Sequence, residues 1–156
     1  RRGHIRHWSY AKPILHSLRT YQYPEIRLAA WDDAGALIHE ETLSARWVFA
    51  MNLPCYARGL PIAPGANGFD GLLDVCTFRG GRLWNGLRYL SEILLRRHHL
   101  HPECTVFRAR RLRIEADAPV PFQLDGDPGG LLPVEVEVIP ERWTLLAPRQ
   151  WETANE

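Results

Sequence analysis

Cysteine is scarce in this sequence, and several motifs that identify common enzyme classes are absent. The three cysteines, Cys55, Cys76 and Cys104, are far apart and form no CxxC pair. A disulfide scaffold or a structural zinc site is therefore not expected, and a reducing cytoplasm is the compartment that fits best. No P-loop, GxGxxG or GxSxG motif occurs. No apolar run reaches the roughly 18 residues that a transmembrane helix needs.

Lysine is almost absent as well, since Lys12 is the only lysine among nineteen basic residues. Arginine matches carboxylate and phosphate groups better than lysine does, although genomic codon bias explains the same excess. The formal net charge of +1 gives no reason to expect nucleic acid as the main partner. A hydrophobic content of 46% and a charged content of 24% indicate one folded domain with a core.

The order of helical and extended segments predicts a mainly β domain after a helical lead-in. Apolar spacing predicts a helix over residues 4–21, which Pro24 ends. The chain does not begin with Met, so we expect a missing upstream segment. Short extended segments separated by turns then predict an antiparallel, sandwich-like sheet. The predicted strands are residues 25–31, 36–41, 45–51, 72–78, 104–115, 120–124, 134–139 and 142–146.

One long helix is predicted over residues 82–97. Its apolar stripe consists of Leu83, Leu87, Leu90 and Leu94, widened by Trp84 and Ile93. We expect this helix to pack on the sheet, which makes the fold class α+β, mainly β with helices.

A loop rich in proline and glycine covers residues 53–71. It is too long for an idle connection within a compact domain, so we expect a functional or ordered loop. Asp70 lies at its exit, between Phe69 and Gly71. A carboxylate with backbone carbonyls nearby can hold a hard cation such as Mg²⁺. An Asx turn leading into a strand explains the same residues, and spacing alone favours the turn.

Two further carboxylates, Asp125 and Asp127, flank Gly126 at the end of an apolar segment. They can face a common cleft, where one accepts a proton from a substrate hydroxyl or both help to bind a metal. Asp-Gly is also the usual sequence of a tight hairpin turn, which spacing alone favours.

A run of histidines follows the predicted helix at residues 98–101. The His99-x-His101 spacing can chelate zinc, but nothing in the sequence completes a tetrahedral set. Two alternatives are a polar helix end that complements the helix dipole and, with Arg96 and Arg97, a basic surface that meets an anionic membrane.

Four motifs, the last of which comprises two closing strands, resemble those of a known family and occur in the same order. Residues 52–64 have an Asn followed by a Tyr, a Gly and an Ala-Pro, residues 66–75 contain Asp-Gly-Leu-Leu-Asp-Val, and residues 122–129 contain Gln-Leu-Asp-Gly-Asp. Residues 133–138 and 145–148 resemble closing strands. In this order they resemble the diacylglycerol kinase catalytic family, which includes sphingosine and ceramide kinases and bacterial lipid kinases. The resemblance covers nearly the whole chain.

The resemblance implies that this chain is the C-terminal domain of a two-domain lipid kinase. Residues 1–24 would be the helical lead-in from a missing N-terminal domain, residues 25–148 the antiparallel β-sandwich-like domain and residues 149–156 a tail. The missing domain would carry a Gly-Gly-Asp-Gly nucleotide loop, which this sequence lacks. The implied activity is ATP-dependent phosphorylation of a lipid hydroxyl such as that of diacylglycerol. The chain alone would then be inactive.

The resemblance also implies site residues by position. They are Asp127 and Asp125 for catalysis, Asn52 and Gly59 for the substrate cleft, and Asp70, Asn67 and Leu72 for Mg²⁺. Three departures stand out. Asp127 replaces a Glu and is one methylene shorter, Phe69 replaces a common Asp, and Ala57 and Arg58 replace two glycines.

The implied cofactors are Mg²⁺ and the cosubstrate ATP, which the missing N-terminal domain would mainly bind. The implied partners are a lipid substrate and a membrane surface contacted peripherally from the cytoplasm, with no nucleic acid and with a homodimer left open. Two other functions compete with the kinase. One is a non-catalytic lipid-binding or regulatory module derived from the family, and the other is a structural sandwich that shares only the fold.

Overall fold

The structure is a computed structural model and describes residues 21–38, 42–56 and 59–140. Its strands are β1 (Ile26–Trp31), β2 (Leu43–Ala45), β3 (Trp47–Met51), β4 (Leu73–Phe78), β5 (Cys104–Ala109), β6 (Arg111–Ala116), β7 (Pro121–Leu124), β8 (Asp127–Leu131) and β9 (Val134–Glu137). Helix α1 spans Leu83–Leu94, and a 3₁₀ turn spans His98–Leu100. The predicted helix at residues 4–21, the strand at 142–146 and the tail at 149–156 lie outside the described residues.

The strands form two sheets and a separate hairpin. Sheet A has the order β2-β1-β6-β9, sheet B has the order β3-β4-β5, and β7 pairs with β8. Every one of these pairings is antiparallel. The predicted class, mainly β with one long helix, is confirmed.

The main core lies between sheets A and B. Leu28 and Leu112 of sheet A are 2% and 0% exposed, and they pack in one cluster with Val75 of sheet B. Strand β1 alternates buried and half-buried residues, as expected where one face of a sheet meets the core. The two sheets therefore pack face to face as a β-sandwich.

Helix α1 covers the other face of sheet B. Cys76 and Phe78 of β4 belong to a second cluster with Tyr89 and Ile93 of α1, and the loop residue Ile62 joins it. All six residues of β4 are buried as a result. The layers thus run from sheet A through sheet B to α1 and the long loop.

The chain crosses between the two sheets at single arginines. Between β2 and β3, the backbone N–H of Arg46 donates to the Phe78 carbonyl at 2.7 Å; between β5 and β6, that of Arg110 donates to the Trp31 carbonyl at 2.8 Å. The predicted continuous strands over residues 45–51 and 104–115 are therefore wrong. Each is divided because its two halves pair in different sheets.

Helix α1 is shorter than predicted and packs through a different face. It ends at Leu94, and Arg96 adopts a positive φ of 55° beyond it. Its buried residues are Tyr89 and Ile93, whereas Leu94 of the predicted stripe is 61% exposed. The spacing of apolar residues correctly predicts a helix, but the predicted packing face is wrong.

A buried hydroxyl ties α1 to the chain on both sides of it. The Tyr89 hydroxyl donates to the Glu103 carboxylate at 2.5 Å and accepts the Gly80 N–H at 2.9 Å. Tyr89 is 3% exposed, and burial together with the Glu103 hydrogen bond raises the pKa of this phenol to about 12. The proton therefore stays on the hydroxyl over the whole neutral range.

Replacing Tyr89 with Phe removes this hydroxyl and keeps the ring. We expect the free energy of unfolding to fall by about 1–3 kcal/mol, because the Gly80 N–H loses its acceptor. The wild type should also lose stability between about pH 10 and 12. The raised pKa of Tyr89 stabilises the folded state fully below the unfolded pKa, and this contribution is lost as the pH rises to the folded pKa. Urea unfolding across this pH range, with Tyr21→Phe at a 40% exposed position as the control, measures both effects. Equal stability of the two variants would contradict the prediction.

Candidate functional site

The two candidate catalytic carboxylates lie on the β7–β8 hairpin. Asp125 and Gly126 form its two-residue turn with φ values of 51° and 100°, the positive values of a type I′ turn. Asp127 is the first residue of β8 and pairs with Leu124 of β7. Both carboxylates are exposed. The hairpin is thus present, and the catalytic roles of Asp125 and Asp127 stay predictions.

The hairpin is stiffened by an aromatic ring over a glycine. A Cβ added at Gly129 would lie 2.3 Å from a ring carbon of Phe122, so only glycine fits there. Gly129 lies inside β8, whose sequence is Asp-Pro-Gly-Gly-Leu. The ring contact offsets the weakness of a strand that reads Asp-Pro-Gly-Gly-Leu.

One side-chain contact joins the hairpin to the long loop. The Gln123 side-chain amide of β7 donates to the Tyr56 hydroxyl. Tyr56 and Leu60 exchange two backbone hydrogen bonds of 2.8 Å, closing a small loop in which Gly59 has a φ of 102°. The contact brings the predicted cleft residue Gly59 and the carboxylate hairpin into one region. Ala57 and Arg58 lie outside the described residues.

A close backbone approach joins the start of the loop to its end. A Cβ added at Gly68 would lie 3.3 Å from the Asn52 carbonyl oxygen, which is closer than most side chains tolerate. The predicted cleft residue Asn52 is therefore a neighbour of the turn that carries Asn67 and Asp70. The two ends of the long loop therefore meet.

The predicted metal residues form an Asx-type turn. The Asn67 side-chain oxygen accepts the Phe69 N–H at 3.0 Å, and Asp70 Oδ1 accepts the Leu72 N–H at 3.0 Å. The Asp70 N–H donates to the Asn67 carbonyl at 3.3 Å. These bonds account for the turn into β4 without any bound ion.

An arginine faces the carboxylate of Asp70. Arg108 of β5 forms an ion pair with Asp70 Oδ2, and its Nε lies 4.0 Å from Asp74 Oδ2. Asp74 is directly opposite Arg108 in the β4–β5 register and is 8% exposed. Burial raises the pKa of Asp74, and the positive charge of Arg108 opposes that rise. The guanidinium therefore supplies the positive charge that these two carboxylates need.

This arrangement places a competing positive charge at the predicted Mg²⁺ ligand Asp70, and the metal roles of Asp70, Asn67 and Leu72 stay predictions. One oxygen of the Asp70 carboxylate accepts a backbone N–H and the other contacts Arg108, so a Mg²⁺ ion would compete with the guanidinium for this carboxylate. Over the described part of the chain, no group of three or more His, Cys, Asp or Glu side chains could hold a metal ion. A cation at Asp70 would first have to displace Arg108.

Two histidines after α1 are structural parts of the loop and strand junctions. His98 is 2% exposed, and its Nε2 lies 2.9 Å from the Ile62 carbonyl in the long loop. His101 accepts the Glu103 N–H at Nδ1 over 3.0 Å. Burial lowers the pKa of His98. The histidine run therefore lies beyond the last turn of the helix, where it holds the loop against α1.

Three residues of this region were not singled out from the sequence: Tyr56, Gln123 and Arg108. Tyr56 and Gln123 occur within the motifs, but nothing in the sequence shows that they touch each other. Arg108 alternates with buried residues, and only the strand register places it opposite Asp74.

The two packed sheets, with α1 on the outer face of sheet B, define an antiparallel β-sandwich domain. The chain belongs to the family described as the YegS C-terminal NAD kinase beta sandwich-like domain, whose family model matches residues 2–147. The resemblance noted in the sequence is therefore confirmed for the C-terminal domain.

Two curated relatives of this chain are named diacylglycerol kinases. The diacylglycerol kinases of Mycobacterium tuberculosis strains CDC 1551 / Oshkosh and ATCC 25618 / H37Rv are each 31% identical to this chain over 98 residues, or 63% of the chain. The chain covers only 31% of the length of each of these curated relatives. A crystal structure of a diacylglycerol kinase from Bacillus anthracis str. Sterne superposes with a TM-score of 0.56 at 19% identity, covering 86% of this chain and 46% of that one. The superposition supports the fold.

Among the described residues, no helix is long and apolar enough to cross a bilayer.

Replacing Arg108 with Ala tests whether the guanidinium stands where a cation would bind. We expect the variant to lose about 1 kcal/mol of unfolding free energy and to gain weak Mg²⁺ or Mn²⁺ binding, since Asp70 and Asp74 then lack a positive neighbour. Isothermal titration with each metal measures binding, and Arg113→Ala on the outer face of sheet A is the control. Metal binding by the wild type that Asp70→Asn abolishes would show that Arg108 moves aside and that Asp70 is a ligand.

Proposed function

We propose that this chain is the C-terminal domain of an ATP-dependent lipid kinase that phosphorylates a lipid hydroxyl such as that of diacylglycerol. Family membership supports the kinase class. The observation that carries the proposal is the contact between Gln123 and Tyr56, because it holds the carboxylate hairpin beside the ordered loop. A substrate hydroxyl in this region would have an exposed carboxylate beside it.

Asp127 is the proposed general base. The lipid hydroxyl oxygen attacks the γ-phosphorus of ATP, its proton passes to the Asp127 carboxylate, and ADP leaves. Asp125, in the turn next to it, would support Asp127 or orient the metal and water. Asn52 and Gly59 would line the space for the substrate. Phosphoryl transfer depends mainly on positioning, so a stiff hairpin is a suitable carrier for the base.

ATP would be bound mainly by a further domain of the complete protein. The sequence has no nucleotide-binding motif, and the chain spans about a third of the length of its curated relatives. Mg²⁺ would arrive with the nucleotide and neutralise phosphate charge, and no step is assigned to Asp70. By itself the chain is expected to be inactive. We place the complete protein in the cytoplasm, in peripheral contact with a membrane, and a homodimer stays a prediction.

A second candidate is a non-catalytic lipid-binding or regulatory module. The ion pair between Arg108 and Asp70 favours it, because the carboxylate expected to bind Mg²⁺ is already neutralised. The shorter side chain of Asp127 also favours a non-catalytic module. Lipid binding without ATP turnover by the complete protein would establish this alternative.

The kinase proposal is tested by Asp127→Asn in the complete protein that carries this domain. We expect kcat for phosphate transfer from ATP to diacylglycerol to fall by about 10²–10⁴-fold, because an amide cannot accept the hydroxyl proton. The matched control is Asp33→Asn, an exposed turn residue elsewhere on sheet A. Radiolabelled phosphate incorporation gives the rate, and thermal unfolding verifies the fold. Turnover within twofold of wild type would remove Asp127 from the mechanism.

A further inference from the structure

Helix α1 and the turn after it expose most of their large apolar side chains. These residues, here called the α1 apolar surface, are Trp84 (77% exposed), Leu87 (44%), Leu90 (42%), Leu94 (61%), Leu95 (66%) and Leu100 (72%). Side chains of this size are usually covered when several of them are contiguous. The surface therefore needs an explanation beyond the packing of α1 on sheet B.

The α1 apolar surface is a separate face of the helix from the one that packs. At 100° per residue, Tyr89 and Ile93 point towards sheet B, whereas Trp84, Leu87 and Leu94 fall on an arc roughly opposite. Charged residues such as Arg88 border this arc. A helix with one apolar face in the core and a second in solvent has a binding surface built into it.

Positive charge surrounds this apolar arc. Residues 82–101 contain four arginines and one glutamate, a formal charge of +3, whereas the whole chain carries only +1. Arg88 pairs with the glutamate, Glu92, at 3.0 Å. Within the described ranges, Arg82 before the helix and Arg96 and Arg97 after it have no ion-pair partner. Unpaired guanidinium groups therefore lie at both ends of the apolar surface.

We propose that the α1 apolar surface docks on an anionic lipid bilayer. Exposed Leu and Trp side chains with Arg at the edges are the composition of helices that lie in the headgroup region. Trp84 is suited to that region because indole prefers the boundary between water and hydrocarbon. Arg96 and Arg97 would contact lipid phosphates, which attract juxtamembrane arginines.

The charge also argues against self-association through this face. In a twofold contact each residue meets the same surface of the other copy, so +3 would oppose +3. An anionic bilayer instead carries a charge opposite to that of residues 82–101, so the interaction is attractive. This inference deepens the peripheral membrane contact proposed above, but it is independent of the proposed kinase reaction, because docking requires neither ATP nor Asp127. It can fail while lipid phosphorylation holds, and it can hold in a protein without turnover.

Vesicle co-sedimentation of the complete protein that carries this domain tests the docking surface. Vesicles of phosphatidylcholine alone are compared with vesicles that contain about 30% phosphatidylglycerol, at about 0.1 M and about 1 M salt. The test variants are Trp84→Ser with Leu87→Ser, and Arg96→Gln with Arg97→Gln. The matched controls are Leu37→Ser, 49% exposed in the turn after β1, and Arg113→Gln on the outer face of sheet A.

We expect binding to the anionic vesicles that weakens in high salt. The double arginine variant should bind roughly 25-fold more weakly, about fivefold for each arginine, and the Trp84–Leu87 variant at least about tenfold more weakly. The two controls should bind like the wild type, and far-UV circular dichroism should be unchanged. Wild-type failure to bind, or equal losses in test and control variants, would overturn the proposal. A dimer in sedimentation that only the α1 variants dissociate would overturn it in favour of a second copy.

Discussion

The architecture depends on burying one strand on both of its faces. Strand β4 lies in the middle of sheet B, with sheet A packed on one side and α1 with the long loop on the other. A strand in that position has to be apolar, and five of its six residues carry no charge. Asp74 is the exception. A buried carboxylate requires a positive partner, and the exposed Arg108 on the neighbouring strand provides that charge from the surface of sheet B.

The proposed docking helix and the proposed catalytic hairpin are linked through the long loop. His98, just after α1, contacts the Ile62 carbonyl, and Tyr56 at the beginning of the same loop contacts Gln123 of the hairpin. The loop is therefore fixed to the scaffold at both points. A continuous set of contacts is the physical route by which a change at one surface can reach another, and a two-state element would be needed to make it a switch.

Fold class and the strands nearest the core were predictable because short apolar segments and the turn residues between them can be recognised in the sequence. Strand β4, an almost wholly apolar segment, and the Asp125-Gly126 turn are clear examples. The divisions at Arg46 and Arg110 were not predictable, since a strand that changes sheets keeps the same local pattern. Nor was the packing face of α1, because both of its sides are apolar and only the shape of sheet B selects Tyr89 and Ile93. The partnership of Arg108 with Asp70 needs the strand register, which a sequence does not contain.

The ring of Phe122 over Gly129 also restricts how this family can vary in length. Inserting one residue between the turn and Gly129 would place Pro128, which bears a Cβ, under the ring. Deleting one residue there would place Gly130 under the ring but would move Asp127 out of its pairing with Leu124. We expect natural variants to exchange residues at the hairpin tip while conserving its length, so that evolution there proceeds by substitution rather than by insertion.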